Sequence, residues 1–246
     1  ATGSAPVGHQ IAQSLGHRIV PPVPSLFTFE IQDPFLNELA GQSVSQVKTR
    51  LRFDTKISKR SFEQEGPLLI THWGLSGPAV LKLSAFAARE LHKSEYQAEL
   101  TINWLPQYQQ ESCYQMLREF RQNHLQGSLQ QPPSSALSKR LWQRFLQGLI
   151  PKEAKTWGEI NQRSLRQLAE RLCAQVLRVQ GKGVFKEEFV TCGGVDCREV
   201  DFSRMESKQV PGLFFAGEIL NIDGVTGGFN FQNAWTTGWL ASRALT

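Results

Sequence analysis

Pro211-Gly212-Leu213-Phe214-Phe215-Ala216-Gly217-Glu218, followed by Asp223-Gly224-Val225-Thr226-Gly227-Gly228-Phe229-Asn230-Phe231-Gln232, reads as a strand, a glycine-rich loop and a helix start. Leu213 to Ala216 is a short apolar run between turn residues, which predicts a strand covered on both faces. Gly217-Glu218 places a carboxylate where such a strand ends, the usual ligand position in open α/β sheets. Gly224, Gly227 and Gly228 allow backbone to approach a ligand closely. Asn230 is the expected N-cap, and Phe231, Ala234, Trp235, Gly238 and Ala241 follow at helical spacing. A helix N-terminus offers N–H groups and partial positive charge to an electron-rich ligand atom.

Other segments carry the same kind of signal. Thr191-Cys192-Gly193-Gly194-Val195 precedes Glu199-Val200-Asp201 and Met205-Glu206-Ser207-Lys208. Leu69-Ile70-Thr71-His72-Trp73-Gly74-Leu75-Ser76-Gly77-Pro78-Ala79 lies mid-chain, and Ala1-Thr2-Gly3 opens the sequence. Together with the 211–232 string, these stretches resemble the HI0933-like (aminoacetone oxidase-type) FAD-dependent oxidoreductases, in family order. The strand–GxGxxG–helix unit with which that family begins is not in this sequence. The chain is therefore read as the C-terminal part of a longer, here truncated, flavoprotein.

The resemblance implies a cofactor set: Thr2, Gly3, Gly193, Gly194, Val195, Gly217, Glu218, Asp223, Gly227, Gly228, Phe229 and Asn230. Glu218 would accept hydrogen bonds from flavin hydroxyls. The amides of Gly228 to Phe231 would face the pyrimidine carbonyl, where negative charge grows on reduction. FAD is the implied cofactor and NAD(P)H the implied electron donor. His72 is the candidate catalytic side chain, on a glycine-flanked turn into a helix. Ser76 reads as the N-cap of that helix.

Composition bounds the reading. The 246 residues are 40% hydrophobic and 20% charged, ordinary for a globular protein. No apolar run approaches the roughly 20 residues of a membrane helix, and a cytoplasmic, membrane-free protein is expected. Cys113, Cys173, Cys192 and Cys197 show no CxxC pair, and no metal site is expected. Residues 106–188 hold 13 Lys and Arg against 7 Asp and Glu, so the whole +5 balance belongs to this segment. It is a solvated helical face or a contact for an anionic partner such as RNA.

Periodicity organises the rest. Pro21, Pro22 and Pro24 suggest a domain crossing. Phe27-Phe29-Ile31, Val47-Thr49-Leu51-Phe53 and Leu100-Ile102-Trp104 alternate with polar residues, as in an antiparallel sheet or barrel with one wet face. Pro78 opens a helix with Val80, Leu83, Ala87 and Leu91 as its stripe. Residues 107–179 are helical in period, and 184–190 read as a returning strand. The residues alone give an α+β chain with a helical middle. With the resemblance, the expectation is α/β plus α+β. The remnant of a two-dinucleotide-type FAD domain (1–19 and 187–246) then surrounds a barrel-like antiparallel β-rich domain (20–105 and 178–186), which carries a helical subdomain (106–177).

Three functions are open at this point. One is a FAD-dependent oxidoreductase, or its C-terminal part, acting on an unidentified substrate, with a small amine or carbonyl compound fitting the family resemblance. Another is a flavin-dependent reductase of an RNA base that uses residues 106–188 as its phosphate-binding surface. The third is a non-catalytic RNA- or protein-binding remnant that no longer binds FAD. Oligomeric state is not encoded in any feature of the sequence.

Overall fold

A computed structural model describes residues 6–183 and 190–245. In chain order the helices and strands are α1 (Val7–Ser14), β1 (Ile19–Ser25), β2 (Phe29–Glu30), β3 (Ser43–Arg52), β4 (Ser61–Ile70), β5 (Gly74–Ser76), α2 (Pro78–Phe86), α3 (Ala88–Lys93) and β6 (Ala98–Asn103). There follow α4 (Gln110–Asn123), α5 (Lys139–Leu146), α6 (Gln162–Ala174), β7 (Gln175–Val179), β8 (Gly181–Lys182), β9 (Val190–Val195), β10 (Val200–Asp201), β11 (Glu206–Ser207) and α7 (Phe229–Ala244). The chain divides into two compact units, one of residues 28–83 and 94–184, the other of 1–27, 84–93 and 185–246.

The first unit is built on one antiparallel seven-stranded sheet, ordered β7-β6-β3-β4-β5-β2-β8. Its two edge strands are consecutive in the chain, separated only by Gln180. The sheet therefore curls into a barrel, and the Gln180 N–H continues the seam by donating to the Glu30 carbonyl at 2.9 Å. Alternation along β3 buries Val47, Thr49 and Leu51, and β6 buries Leu100 and Ile102. Each such aliphatic side chain contributes about 1.5–3 kcal/mol by leaving water. The opposite face is wet: Lys48 pairs with Glu63 at 3.0 Å, and Arg50 pairs with the same carboxylate. The Lys48 hydrogen bond, more than any other contact, holds the Glu63 carboxyl below its ordinary value.

Of the expected Phe27–Ile31 strand, only Phe29–Glu30 is regular, although Phe27, Phe29 and Ile31 are all buried. Gly74 lies beside it with φ +148°, and a Cβ there would stand 2.2 Å from the Phe29 carbonyl oxygen. Ser76 is not the N-cap expected from sequence. It pairs with Leu69 in β5, and Gly77, at φ +95°, precedes the helix instead. A side chain at 77 would meet the Leu69 nitrogen at 2.9 Å, so neither capping nor any other side chain fits.

The helical segment packs on the barrel through Trp104, fully buried between Phe35 and Phe145. Trp142 stacks on Trp157 with centroids 5.6 Å apart, and its indole N–H donates to the Leu129 carbonyl at 2.8 Å. Three arginines of this segment are spent on backbone carbonyls: Arg121 on Trp157 and Gly158, Arg144 on Pro34 and Asn37, Arg171 on Phe145 and Gln147.

In the second unit β1 pairs with β9. The proline run read as a domain crossing is thus a strand, with a register shift between Val20 and Val23 that absorbs Pro21 and Pro22. The strand expected over 213–216 is an extended segment with a single bridge, Phe214 to Glu206. Phe215 is buried but Ala216 is exposed, so the segment is not covered on both faces. The strand expected at 184–190 lies, but for Val190, outside the described residues.

A buried polar network ties His17, between α1 and β1, to the 199–210 segment. Ser207 Oγ accepts from the N–H groups of Gln209 (3.0 Å) and Val210 (2.8 Å). With both lone pairs used, its hydroxyl donates to His17 Nε2 at 3.0 Å. His17 Nδ1 therefore carries the proton, and donates to Glu199 Oε2 at 3.1 Å.

These contacts make three substitutions informative. Gly74→Ala should lower stability by roughly 3 kcal/mol, through the clash with Phe29. Gly238→Ala, on α7 with open space around it, should raise stability by about 0.5–1 kcal/mol. Ser207→Ala should cost about 1–3 kcal/mol by stranding two backbone donors and the imidazole acceptor. Midpoints of urea unfolding check all three; an unchanged midpoint for Gly74→Ala would show that β2 and β5 do not meet as described.

Candidate functional site

The glycine-rich loop of the second unit is organised by its helix. Asn230 is not the N-cap expected from its position; it is the second residue of α7. Its side-chain oxygen accepts the Gly224 N–H at 2.7 Å and its amide nitrogen donates to the Gly224 carbonyl at 3.0 Å. This two-point clamp closes the loop 224–230. The capping position falls to Gly228, at φ +84°, and no side chain caps the helix. Its first N–H groups are thus left to a ligand or water.

Gly217, at φ +75°, is held to the same helix: its N–H donates to Thr237 Oγ1 at 2.8 Å. Thr237, itself buried, donates in turn to the Asn233 carbonyl at 2.7 Å. Glu218 is exposed, and its carboxylate meets no donor among the described residues. Asp223 Oδ2 accepts from the fully buried Ser25 hydroxyl at 3.1 Å, and its carboxylate also hydrogen-bonds the Cys192 thiol. Burial, with the Asp223 charge second and Arg89 opposing, pushes the Cys192 thiol up to about 11. The thiol is therefore protonated at neutral pH.

Glycines of the two motifs serve different ends. A Cβ on Gly193 would lie 2.6 Å from the Pro21 carbonyl oxygen, and one on Gly194 would lie 2.4 Å from that of Ile219. Protein backbone fills both positions, and Val195 is fully buried. Around a Cβ on Gly228 there is nothing within 4 Å. Gly228 thus borders open space, while 193–195 form a floor against β1 and residues 219–220.

Helix α7 turns its aromatic side chains outward. Phe229, Phe231, Trp235 and Trp239 are 60%, 70%, 71% and 56% exposed, and Thr237 and Ala241 are the buried side chains instead. The spacing read from sequence marks a helix, but Phe231 and Trp235 are not its buried face. Thr2 and Gly3 lie outside the described residues.

His72 belongs to the barrel unit. It is exposed on the turn joining β4 to β5, in a cleft of about 850 Å³ shared with Gln32, Asp33, Asn37, Thr71 and Arg140. Thr71 Oγ1 is buried beside it with no hydrogen-bond partner among the described residues. Sequence reasoning missed Ser25, Arg89 and Thr237. None of the three carries a local signal in the sequence. Among the described residues no three His, Cys, Asp or Glu side chains cluster as metal ligands. None of the helices described is long and apolar enough to cross a membrane.

Residues 23–190 match the family model described as HI0933-like protein barrel and H2TH domain. The chain is 34% identical over 247 residues to the ribosomal RNA dihydrouridine synthase of Escherichia coli K12 and 30% identical to that of Haemophilus influenzae. It is 27% identical to the 3-dehydro-bile acid delta(4,6)-reductase of Clostridium scindens. These alignments take in 98–99% of the chain but 57–58% of each relative's length. With a barrel, a helical segment and a family match over most of its length, the chain belongs to the HI0933-like family.

Proposed function

We propose that the chain is part of a flavin-dependent oxidoreductase, with FAD as cofactor, that reduces a uracil base in ribosomal RNA. The observation that carries the flavin reading is the Asn230-clamped loop, with Gly227 and Gly228 at positive φ beside an uncapped helix N-terminus. These residues fit a flavin: the space at Gly228 is open, the helix amides are donors, and Glu218 is an acceptor that meets no donor among the described residues. The RNA reading is supported by the names of the two relatives at 30–34% identity and by the basic helical segment.

A bound flavin supplies hydride to an electron-poor carbon–carbon double bond. The work of this chain's own residues is binding and orientation. The amides that open α7 would stabilise negative charge on the flavin edge. Glu218 would accept ribityl hydroxyls, and Asp223 would anchor the loop through Ser25. Gly193, Gly194 and Val195 belong to this site as its floor. Thr2 and Gly3 remain assigned to the nucleotide end. NAD(P)H is the proposed electron donor.

On the helical segment, exposed Arg118, Lys139, Arg140, Lys152 and Arg163 are the proposed phosphate contacts. Arg121, Arg144 and Arg171 are excluded from that role by their carbonyl partners. His72, near Arg140 in the same cleft, is the proposed substrate-side residue.

Flavin binding is tested by titrating the protein with FAD and following the visible spectrum. Gly228→Val should weaken binding at least about tenfold, because a β-branched residue does not adopt φ +84° without strain. Equal affinity in the variant rejects the site. The substrate is tested in cells lacking the full-length protein, by mass spectrometry of ribosomal RNA nucleosides. Dihydrouridine should disappear at one position and return with the wild-type gene. Unchanged RNA, together with reduction of an unsaturated steroid ketone by the purified protein, would favour the small-molecule reading. Arg140→Ala and Arg163→Ala should each lower the salt slope of RNA binding by about 1.

A further inference from the structure

Residues 48–60, from Lys48 in β3 to Arg60 just before β4, hold six Lys and Arg and one Asp. Acidic residues elsewhere cancel this charge in the total, so composition does not reveal it. The connection 53–60 is ordered by its one acid. The Asp54 carboxylate accepts the Lys56 N–H at 2.8 Å, and the Asp54 carbonyl accepts those of Ile57 and Ser58 at 2.9 and 3.0 Å. The Ser58 hydroxyl then accepts the Arg60 N–H at 3.1 Å. The chain turns on these backbone contacts and leaves Lys56, Ile57, Lys59 and Arg60 exposed.

The cations divide by what they touch. Lys48 and Arg50 are neutralised by Glu63, and Lys48 also by Glu65 at 3.8 Å. Arg60 lies 5.0 Å from the centroid of the Phe62 ring. Arg52, Lys56 and Lys59 form no ion pair among the described residues, and neither does Arg178 on β7. Glu99 stands opposite both Arg52 and Arg178 in the sheet register without pairing with either. This end of the barrel therefore carries Arg52, Lys56, Lys59, Arg60 and Arg178 against Asp54 and Glu99, an excess of three positive charges. Arg52 and Arg178, with Phe53, Ile57 and Gln97, line a cleft of about 760 Å³. Phe53 is half-buried and meets Phe62 edge to face.

A nucleotide offers both groups that this end can hold: a phosphate for the guanidinium and ammonium groups, and a flat base for Phe53 and Ile57. An acidic peptide offers only the first. Reach matters as well. The tip and His72 lie beyond opposite ends of β4, a strand of ten residues. At about 3.3 Å per residue they are roughly 30 Å apart. A ligand that engages both must be a polymer. We propose, on the RNA reading of the function, that the tip 52–60 with Arg178 is a second RNA-backbone contact, on the barrel and separate from the helical segment. It holds the strand several nucleotides away from the base presented at the His72 cleft.

The test follows binding of a fluorescein-labelled single-stranded RNA of about 20 nucleotides to the chain over a series of salt concentrations. Lys56→Ala/Lys59→Ala should lower the slope of log affinity against log salt by about 1.5, with the urea midpoint unchanged because both side chains are exposed on a loop. Lys56→Arg/Lys59→Arg should keep the wild-type slope. Lys48→Ala, which removes a cation already paired, should keep it too. A wild-type slope in Lys56→Ala/Lys59→Ala, with the slope lowered in Arg140→Ala and Arg163→Ala, would overturn the tip contact and leave the RNA reading standing. An equal drop in Lys48→Ala would also overturn it, by showing that total charge decides the slope. Displacement of the RNA by poly-glutamate at equal charge concentration would assign the tip to an acidic protein instead. Absence of RNA binding by the wild-type chain rejects the RNA reading and the tip contact together.

Discussion

One stretch of chain serves both edges of the seven-stranded antiparallel sheet, and the rest of the barrel depends on it. Residues 175–182 do so: β7 pairs with β6, β8 pairs with β2, and Gln180 is the seam between them. The closure brings β2 and β5 into register as strands of only two and three residues. They survive because Gly74 lets the β5 backbone pass within contact of Phe29, where any side chain would collide. The barrel interior is then sealed by Leu51, Ile70, Leu75 and Leu100, all fully buried. Trp104 extends the same core out of the end of β6 to seat the helical segment through Phe35 and Phe145. The sheet edge, the close approach and the helix platform thus depend on one closure.

The second unit turns on the same residue type for opposite reasons. Gly193 and Gly194 are required because protein backbone already occupies the space of a side chain. Gly228 is required because its backbone is left-handed while the space beside it is open. A motif search treats the pairs alike. Physically, one pair tightens a floor and the other opens a surface. Asn230 and Thr237 connect them to the helix, by clamping Gly224 and holding the Gly217 N–H.

What was legible in the sequence divides along these lines. β3 and β6 were readable because one wet and one buried face impose strict alternation, from Val47 to Leu51 and from Leu100 to Ile102. β5 and β8 were not, since a strand of two or three residues exists through its partners and has no period of its own; for β2 the alternation from Phe27 to Ile31 gave the place but overstated the length. Leu213 to Ala216 misled because an apolar run reports burial potential and not a neighbouring strand. Asn230 misled because a polar side chain at a helix start can reach back to the loop as well as down to the first turn. The face of α7 was also out of reach: spacing identifies a helix, and only packing decides that Thr237 goes inward while Trp235 does not. The glycine-rich loop was legible as a loop leading into a helix, whereas Ser25 and Arg89 around Asp223 and Cys192 come from distant sequence.

The basic segment shows the same limit for charge. A count of Lys and Arg between 106 and 188 measures a total, but the function of a cation depends on what it already touches. Arg121, Arg144 and Arg171 are structural ties, since each guanidinium donates to carbonyls at helix ends and turns. Arg166 is also committed, to the Tyr114 ring and Glu111. The field that a polyanion would meet comes from the residues left over, chiefly Arg118, Lys139, Arg140, Lys152 and Arg163. Such a reduced set still supports electrostatic attraction, because counterion release scales with the phosphates neutralised and not with the formal charge of the segment. It also separates two kinds of mutation. Removing a tied arginine removes hydrogen bonds to carbonyls at helix ends and turns, whereas removing Arg118 or Lys139 breaks no such tie.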